Sequence, residues 1–559
     1  MLNFLKSFFG FAEHKKAEIL LLLILVAIPI NSILTCFDFQ NQTITTLNNI
    51  YYDFSSSWRL HTSRLLQGEN LYEDFYYPYP PVGLYIISVA FMLTGESIFH
   101  QSLFTATVGL SIHYMLFLLL KEITNNRLLL YAGLFLSFCF LNFSYRHEIF
   151  LGGNPFPLLF GFLFFIVGLL LYLRGASHHL FLLLIACSFK HEFWLPTLFV
   201  IFLNFKHYKW TDYCSFFIIL ITNILLGYNS FEIVSGMGRS EWARWQFHWE
   251  TGVIHLILTI PMLVVIKYKR FAYFIIYSFF IVCLNNELAI IDYSIIFNTR
   301  IGKEIYSIHN SLNIGNLCKY TFLFGFLFIA YKEKDKKTII FLTIITLLQC
   351  RRLFEWSEIT YNCLIPIGFI YGYINTYNPK LKCLYKLCLT KVLIISVPAY
   401  AINSYDIKKY LNISNNNALI DTDIGYICSS TNQSSFNQIK ELIAGKNVIC
   451  FPFHSGMTLL CGAKLCSPLN YYYSRKRINT FDYYLNDINL SKADYYIIDN
   501  KYVEWESYPE LQMSLFKWEL ATETINLLDL HPEIKEVIED NYEYQITIDN
   551  FSLYRRKKK

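Results

Sequence analysis

The chain has 559 residues, a net charge of +5, 54% hydrophobic and 16% charged residues, and a mean hydropathy of +0.34. Globular chains in water carry about 25% charged residues, so this composition excludes a disordered chain, a disulfide scaffold and a coiled coil. The small net charge points to no nucleic-acid partner. The apolar residues are bunched into runs, and with 42 Tyr and 50 Phe they suit interfacial and lipid-facing surface. The expected fold class is an all-α polytopic membrane protein.

Lys6, Lys15 and Lys16 precede the first apolar run, Ala17–Leu34. Its length matches the roughly 20 residues of a membrane-spanning helix, and no small-x-small cleavage site follows. It reads as a retained anchor with a cytoplasmic N-terminus. The connection from Phe37 to Pro81 is long and rich in Tyr, Trp and Phe. It sets Asp38, Asp53, Glu69, Glu73 and Asp74 against Arg59 and Arg64. The spacing of Phe54, Trp58 and Leu65 predicts a helix within Tyr52–Leu66. Tyr77-Pro-Tyr-Pro-Pro81 breaks the chain, and Val82–Leu93 reads as a helix lying at an interface.

Further apolar runs extend from Gln101–Leu120 to Leu389–Ile402. Basic clusters mark cytoplasmic loops. They fall at Lys121/Arg127, Arg174, Lys206/Lys209, Lys267/Lys269/Arg270, Lys332–Lys337 and Lys380/Lys382/Lys386, on every second connection. That alternation requires His179–Phe205 to be two short spans turning at Lys190-His191-Glu192. It gives about thirteen transmembrane helices with the C-terminal part outside.

From Asn403 the composition changes, dividing the chain into a membrane domain, 1–402, and a small α/β domain, 403–559. Asn447–Phe453 and Asp494–Ile498 read as strands. Phe436–Ala444 and Glu533–Asp540 read as helices, and Glu543–Ile548 with Phe551–Arg555 as a hairpin about Asp549-Asn550. The cysteines form no Cys-x-x-Cys metal signature. Cys428, Cys450, Cys461 and Cys466 could pair in an oxidising compartment, with no pairing assigned.

The run from Asp53 to Pro81 resembles the first extracytoplasmic loop of GT-C membrane glycosyltransferases, in the branch with protein O-mannosyltransferases and the lipid A aminoarabinose transferase. The shared pattern is an acid after the first span, a small amphipathic helix ending in a Gly-containing turn, and an aromatic Pro-Pro stretch before an interfacial helix. Lys190-His191-Glu192 is similar to the Lys-bearing turn of these enzymes. Arg351/Arg352 with Tyr361-Asn-Cys-Leu-Ile-Pro366 is similar to the start of a late span. Val448-Ile-Cys-Phe-Pro452, Leu459-Leu-Cys-Gly-Ala463 and Pro468 are similar to their soluble tail.

The resemblance implies a glycosyltransferase in a bacterial plasma membrane, N-terminus cytoplasmic and C-terminal domain periplasmic. It would move a sugar from a polyprenyl-phosphate donor to a lipid, glycan or protein acceptor, surrounded by membrane lipids. The anionic leaving group needs cations, and the acceptor hydroxyl needs a base. Asp53 is the candidate base, with a helix N-cap as its alternative role. Asp74 is the second candidate, as an acceptor or metal contact, or else a turn carboxylate.

Arg59, Arg146, His147, Glu148, Lys190, Glu192, Arg351 and Arg352 are candidate substrate-binding residues. Arg146-His147-Glu148 reads more readily as an interfacial polar cluster. Lys190 and Glu192 read equally as a structural salt bridge, and Arg351/Arg352 as cations snorkelling to headgroups. No cofactor is assigned, with a divalent cation the one candidate and its ligands unknown. The competing function is a transporter or envelope-polysaccharide export protein without transferase activity.

Overall fold

The computed structural model describes Leu25 and residues 58–144, 156–226, 336–353, 363–389, 418–467, 493–499 and 532–558, short stretches within these excepted. The first anchor (Leu25 apart), Asp53, Arg146, His147, Glu148 and the runs between 253 and 330 lie outside the described residues.

The helical part opens with α1 (Trp58–Leu66), α2 (Pro81–Thr94), α3 (Ile98–Ile123), α4 (Arg127–Ser144) and α5 (Phe156–Leu173). It continues with α6 (His179–Cys187), a 3₁₀ turn (His191–Phe193), α7 (Trp194–Asn204), a second 3₁₀ turn (Phe205–His207) and α8 (Trp210–Leu225). Helices α9 (Lys336–Leu353) and α10 (Leu364–Asn375) pack against α7 and α4 respectively.

The expected polytopic membrane fold is corrected here. Among the described residues, no helix is long and apolar enough to cross a membrane. The physical reason is visible at α5. A helix apolar on all sides belongs either in lipid or at the centre of a large protein core. In α5, Leu158, Leu159, Phe162, Phe165, Ile166, Leu169 and Leu170 are all buried against neighbouring helices. A span takes about 17–25 residues, and α4 and α5, with 18 each, stand at its lower limit. Helices α6 and α7, with 9 and 11 residues, are far shorter.

The remainder is a mixed α/β unit. After a hairpin of β1 (Ala418–Thr422) and β2 (Gly425–Ser429) come α11 (Gln433–Ile443), β3 (Asn447–Phe451), α12 (Ser455–Leu460) and β4 (Lys464–Leu465). Then follow β5 (Tyr495–Asp499), α13 (Pro532–Asn541), β6 (Tyr542–Ile548) and β7 (Phe551–Arg556). The sheet order is β4-β3-β5-β7-β6, with β3 parallel to β4 and β5, and β7 antiparallel to β5 and β6. Central β5 is a continuous apolar run because both its faces are covered, and Tyr496, Ile497 and Ile498 are fully buried. Asp549 turns the last hairpin at φ 53°, in the left-handed region that Asp and Asn tolerate. Among the described residues the buried Cys450 is a free thiol.

Helix α2 meets the α6–α7 connection at its first turn. The Gly83 N–H donates to the Ser188 carbonyl at 3.0 Å. A Cβ on Gly83 would lie 2.7 Å from that carbonyl oxygen and 3.0 Å from the Phe189 Cα, both backbone atoms. Gly83→Ala should therefore force the two segments apart, at about 1–3 kcal/mol, the usual range for overpacking. Chemical-denaturation midpoints of the two chains measure this directly. An unshifted midpoint would show that this contact does not constrain the fold.

Candidate functional site

Helix α1 ends at a glycine. Gly68 has φ +86°, and the N–H groups of Gln67, Gly68 and Glu69 return to the carbonyls of Ser63, Leu65 and Arg64. This reversal closes the helix in the manner of a left-handed glycine cap. It brings Glu69 back beneath Arg64. Arg64 Nε donates to Glu69 Oε2 at 2.6 Å, with side chains only 4% and 6% exposed. The other oxygen, Glu69 Oε1, is buried without a hydrogen-bond partner among the described residues.

The same guanidinium serves two further segments. Nη1 donates to the Ser467 carbonyl at 2.7 Å and Nη2 to the Asp74 carbonyl at 3.0 Å. Its plane lies over the Phe75 ring, 4.8 Å from the centroid. Burial lowers the Arg64 pKa, while Glu69 beside it and Asp74 further off pull it upward. An arginine starts so far above neutral pH that it stays charged.

The strap from Glu69 to Tyr77 is held down by aromatic packing. His61 meets Phe75 at 5.8 Å and Tyr77 edge-on at 5.0 Å. Leu71, Phe75 and Tyr77 close over Leu84 in the first turn of α2. Asp74 takes part through its main chain and through a local turn. Its Oδ2 accepts from the Asn70 N–H at 2.7 Å, and its side chain is exposed. That is the geometry of a turn-closing carboxylate.

Lys190 and Glu192 follow directly on Ser188 and Phe189, which meet α2 at Gly83. The chain leaves α6 through Ser188, whose backbone holds Gly83, and Asn223 of α8 donates to Ser188 Oγ at 3.4 Å. Phe189 stacks on Phe160 at 5.6 Å. Lys190 Nζ and Glu192 Oε1 are 3.5 Å apart, with side chains 6% and 0% exposed. Ion pairs this buried carry a large desolvation penalty, so a Lys and an acid here are not packing material.

Arg351 and Arg352 occupy the last turn of α9, and Arg59 lies in α1. The 3₁₀ turn at His191–Phe193 touches α9. Asn204, at the far end of α7, shares a cavity wall with Lys337 at the start of α9. The two helices are therefore antiparallel, which carries the C-terminal turn of α9 toward the Lys190 end of the bundle. The strap and the Lys190–Glu192 segment are joined through the first turn of α2, and α9 runs toward the Lys190 end. Among the described residues no group of three or more His, Cys, Asp or Glu could hold a metal ion.

The sequence analysis names Arg64 and Glu69 only among the loop charges and Tyr77 only at a chain break, and assigns no site role to them or to His61. A usable signal existed in the spacing Arg64–Gly68–Glu69, in which a glycine cap folds an acid back onto a base one turn earlier. No protein-family model matches the chain, and no curated protein shows significant similarity to it.

Removing one partner of a buried ion pair leaves the other charge stranded, typically at about 3–5 kcal/mol. Arg64→Met should cost in that range and release the strap from the 464–467 segment. Hydrogen exchange should then speed up at Cys466 and Asp74 together. Faster exchange at neither site would show that Arg64 does not join them.

Proposed function

We propose that the chain is a glycosyltransferase that moves a sugar from a polyprenyl-phosphate carrier to a cell-envelope acceptor, at the outer face of a bacterial plasma membrane. The observation that carries this reading is the buried Lys190–Glu192 pair, two residues beyond the Ser188 carbonyl that binds Gly83 in the first turn of α2, whose Leu84 is covered by the Arg64 strap. Large apolar side chains facing outward on adjacent helices support it. Val89 on α2, Leu198 on α7 and Ile221 on α8 are 53%, 47% and 50% exposed. Such a surface suits an isoprenoid chain.

The acceptor oxygen attacks the anomeric carbon from the face opposite the phosphate. The carbon–oxygen bond to the phosphate breaks, its electron pair leaves with the phosphate, and the configuration inverts. Asp53 takes the acceptor proton. Lys190, Arg351 and Arg352 hold the departing charge, and Arg pairs with phosphate oxygens in bidentate fashion. Glu192 keeps the Lys190 ammonium in place between turnovers.

The test is release of polyprenyl phosphate from a series of polyprenyl-phosphate sugars by the purified full chain. General-base help is typically worth about 10²–10⁴-fold, so Asp53→Asn should slow release by that factor and leave donor binding intact. Lys190→Met should weaken donor binding. Wild-type chain that releases sugar from none of the donors, or an Asp53→Asn variant as fast as wild type, would overturn the proposal.

A further inference from the structure

At the opposite end of the helical bundle a cavity of about 630 Å³ opens between the α5–α6 turn, the α7–α8 connection and the start of α9. Its volume falls within the roughly 300–1,000 Å³ of small-molecule sites. One side is apolar and aromatic, with Tyr172, Phe341 and Tyr371. The rim carries Lys209 and Lys337, both exposed, with His207 beside them.

The acid in this wall is already engaged. Asp212 Oδ2 accepts from the Lys209 backbone N–H at 2.8 Å, capping α8. Among the described residues neither the Lys209 nor the Lys337 ammonium has an ion-pair partner. The floor is fixed by His179. Its Nδ1 bonds the Ala176 carbonyl at 2.7 Å, and its Nε2 lies 3.0 Å from the Tyr208 hydroxyl. With Nδ1–H donating to a carbonyl, Nε2 of the neutral ring is the acceptor, so Tyr208 donates.

We infer that this cavity binds a phosphate-bearing ligand, the phosphate between Lys209 and Lys337 and the remainder against Tyr172, Phe341 and Tyr371. Among the described residues the rim sets two ammonium groups against one carboxylate, Asp212, which is already bonded to the backbone; the net positive charge attracts an anion, and Lys holds phosphate as a point charge. The site is separate from the proposed transfer centre and stands or falls independently of it. A soluble phosphate ester and a phospholipid headgroup share this chemistry.

Two probes distinguish them. Glycerol 3-phosphate is titrated calorimetrically into the full chain, and vesicles of phosphatidylcholine doped with phosphatidic acid are co-sedimented with it. The Lys209→Gln/Lys337→Gln double variant should bind the relevant probe at least about tenfold more weakly, since one charge-assisted bond is worth about 1.5–3 kcal/mol. Lys464→Gln, an exposed lysine far from the cavity in sequence, should bind as wild type, and Lys209→Arg/Lys337→Arg should retain binding. Loss confined to glycerol 3-phosphate assigns a soluble ester, and loss confined to vesicles assigns a headgroup. Binding of neither probe by wild type, or equal loss in the double variant and Lys464→Gln, would overturn the inference.

Discussion

A single buried cation ties together parts of the chain hundreds of residues apart. The Arg64 guanidinium is held by the Glu69 carboxylate, the Asp74 carbonyl, the Ser467 carbonyl and the face of Phe75. A guanidinium removed from water without partners is strongly destabilising. Every segment that supplies one is therefore constrained by it. The glycine cap at Gly68 delivers Glu69, the Asn70–Asp74 turn delivers a carbonyl, and the β4 side of the α/β unit delivers another. Contact between α12 and α1 runs alongside the Ser467 bond, so the α/β unit is seated on the strap rather than merely tethered to it.

The first turn of α2 then transmits that arrangement into the helical bundle. Pro81 begins the helix, where its missing N–H costs nothing. Leu84 is covered by the strap, while Gly83 lies against Ser188. One helical turn thus separates two buried ion pairs of unlike design. Arg64–Glu69 is short and bound further by carbonyls. Lys190–Glu192 is longer, at 3.5 Å, and a Lys ammonium has only single-point contacts to offer. The first suits a fixed strut. The second suits a cation that must exchange its carboxylate for an incoming anion.

Much of the local structure was legible in the chain. The strands at Asn447 and Tyr495 and the turn at Asp549 follow from apolar runs and turn chemistry that act over a few residues. The break at Lys190-His191-Glu192 was expected on other grounds, the alternation of basic clusters along the chain, and a 3₁₀ turn lies there between α6 and α7. The destination of the apolar helices was not. Leu, Ile and Phe on every side of α5 satisfy lipid and a protein core equally, and periodicity is silent when every face is apolar. The choice was settled by neighbours distant in sequence, such as Phe189 and Phe193 packing on Phe160 and Phe165. The β1–β2 hairpin was missed because Ala418–Ser429 follows an Asn-rich stretch whose composition reads as linker.

The Arg64 cluster was hidden for a different reason. Two of its partners are main-chain carbonyls, and any residue type supplies a carbonyl. Ser467 contributes nothing through its side-chain identity, so no motif search could have found it. What the sequence does carry is the acid–base pair across Gly68, which becomes informative once the glycine is taken as left-handed. The bundle's two ends differ along the same line. Near α2 the charges are buried and paired, and the backbone fixes them. Around Lys209 and Lys337 the charges are exposed and, among the described residues, have no ion-pair partner, so their arrangement is set by the helices that present them. A sequence shows lysines in both places, and only burial tells a cation held inside the fold from one left facing solvent.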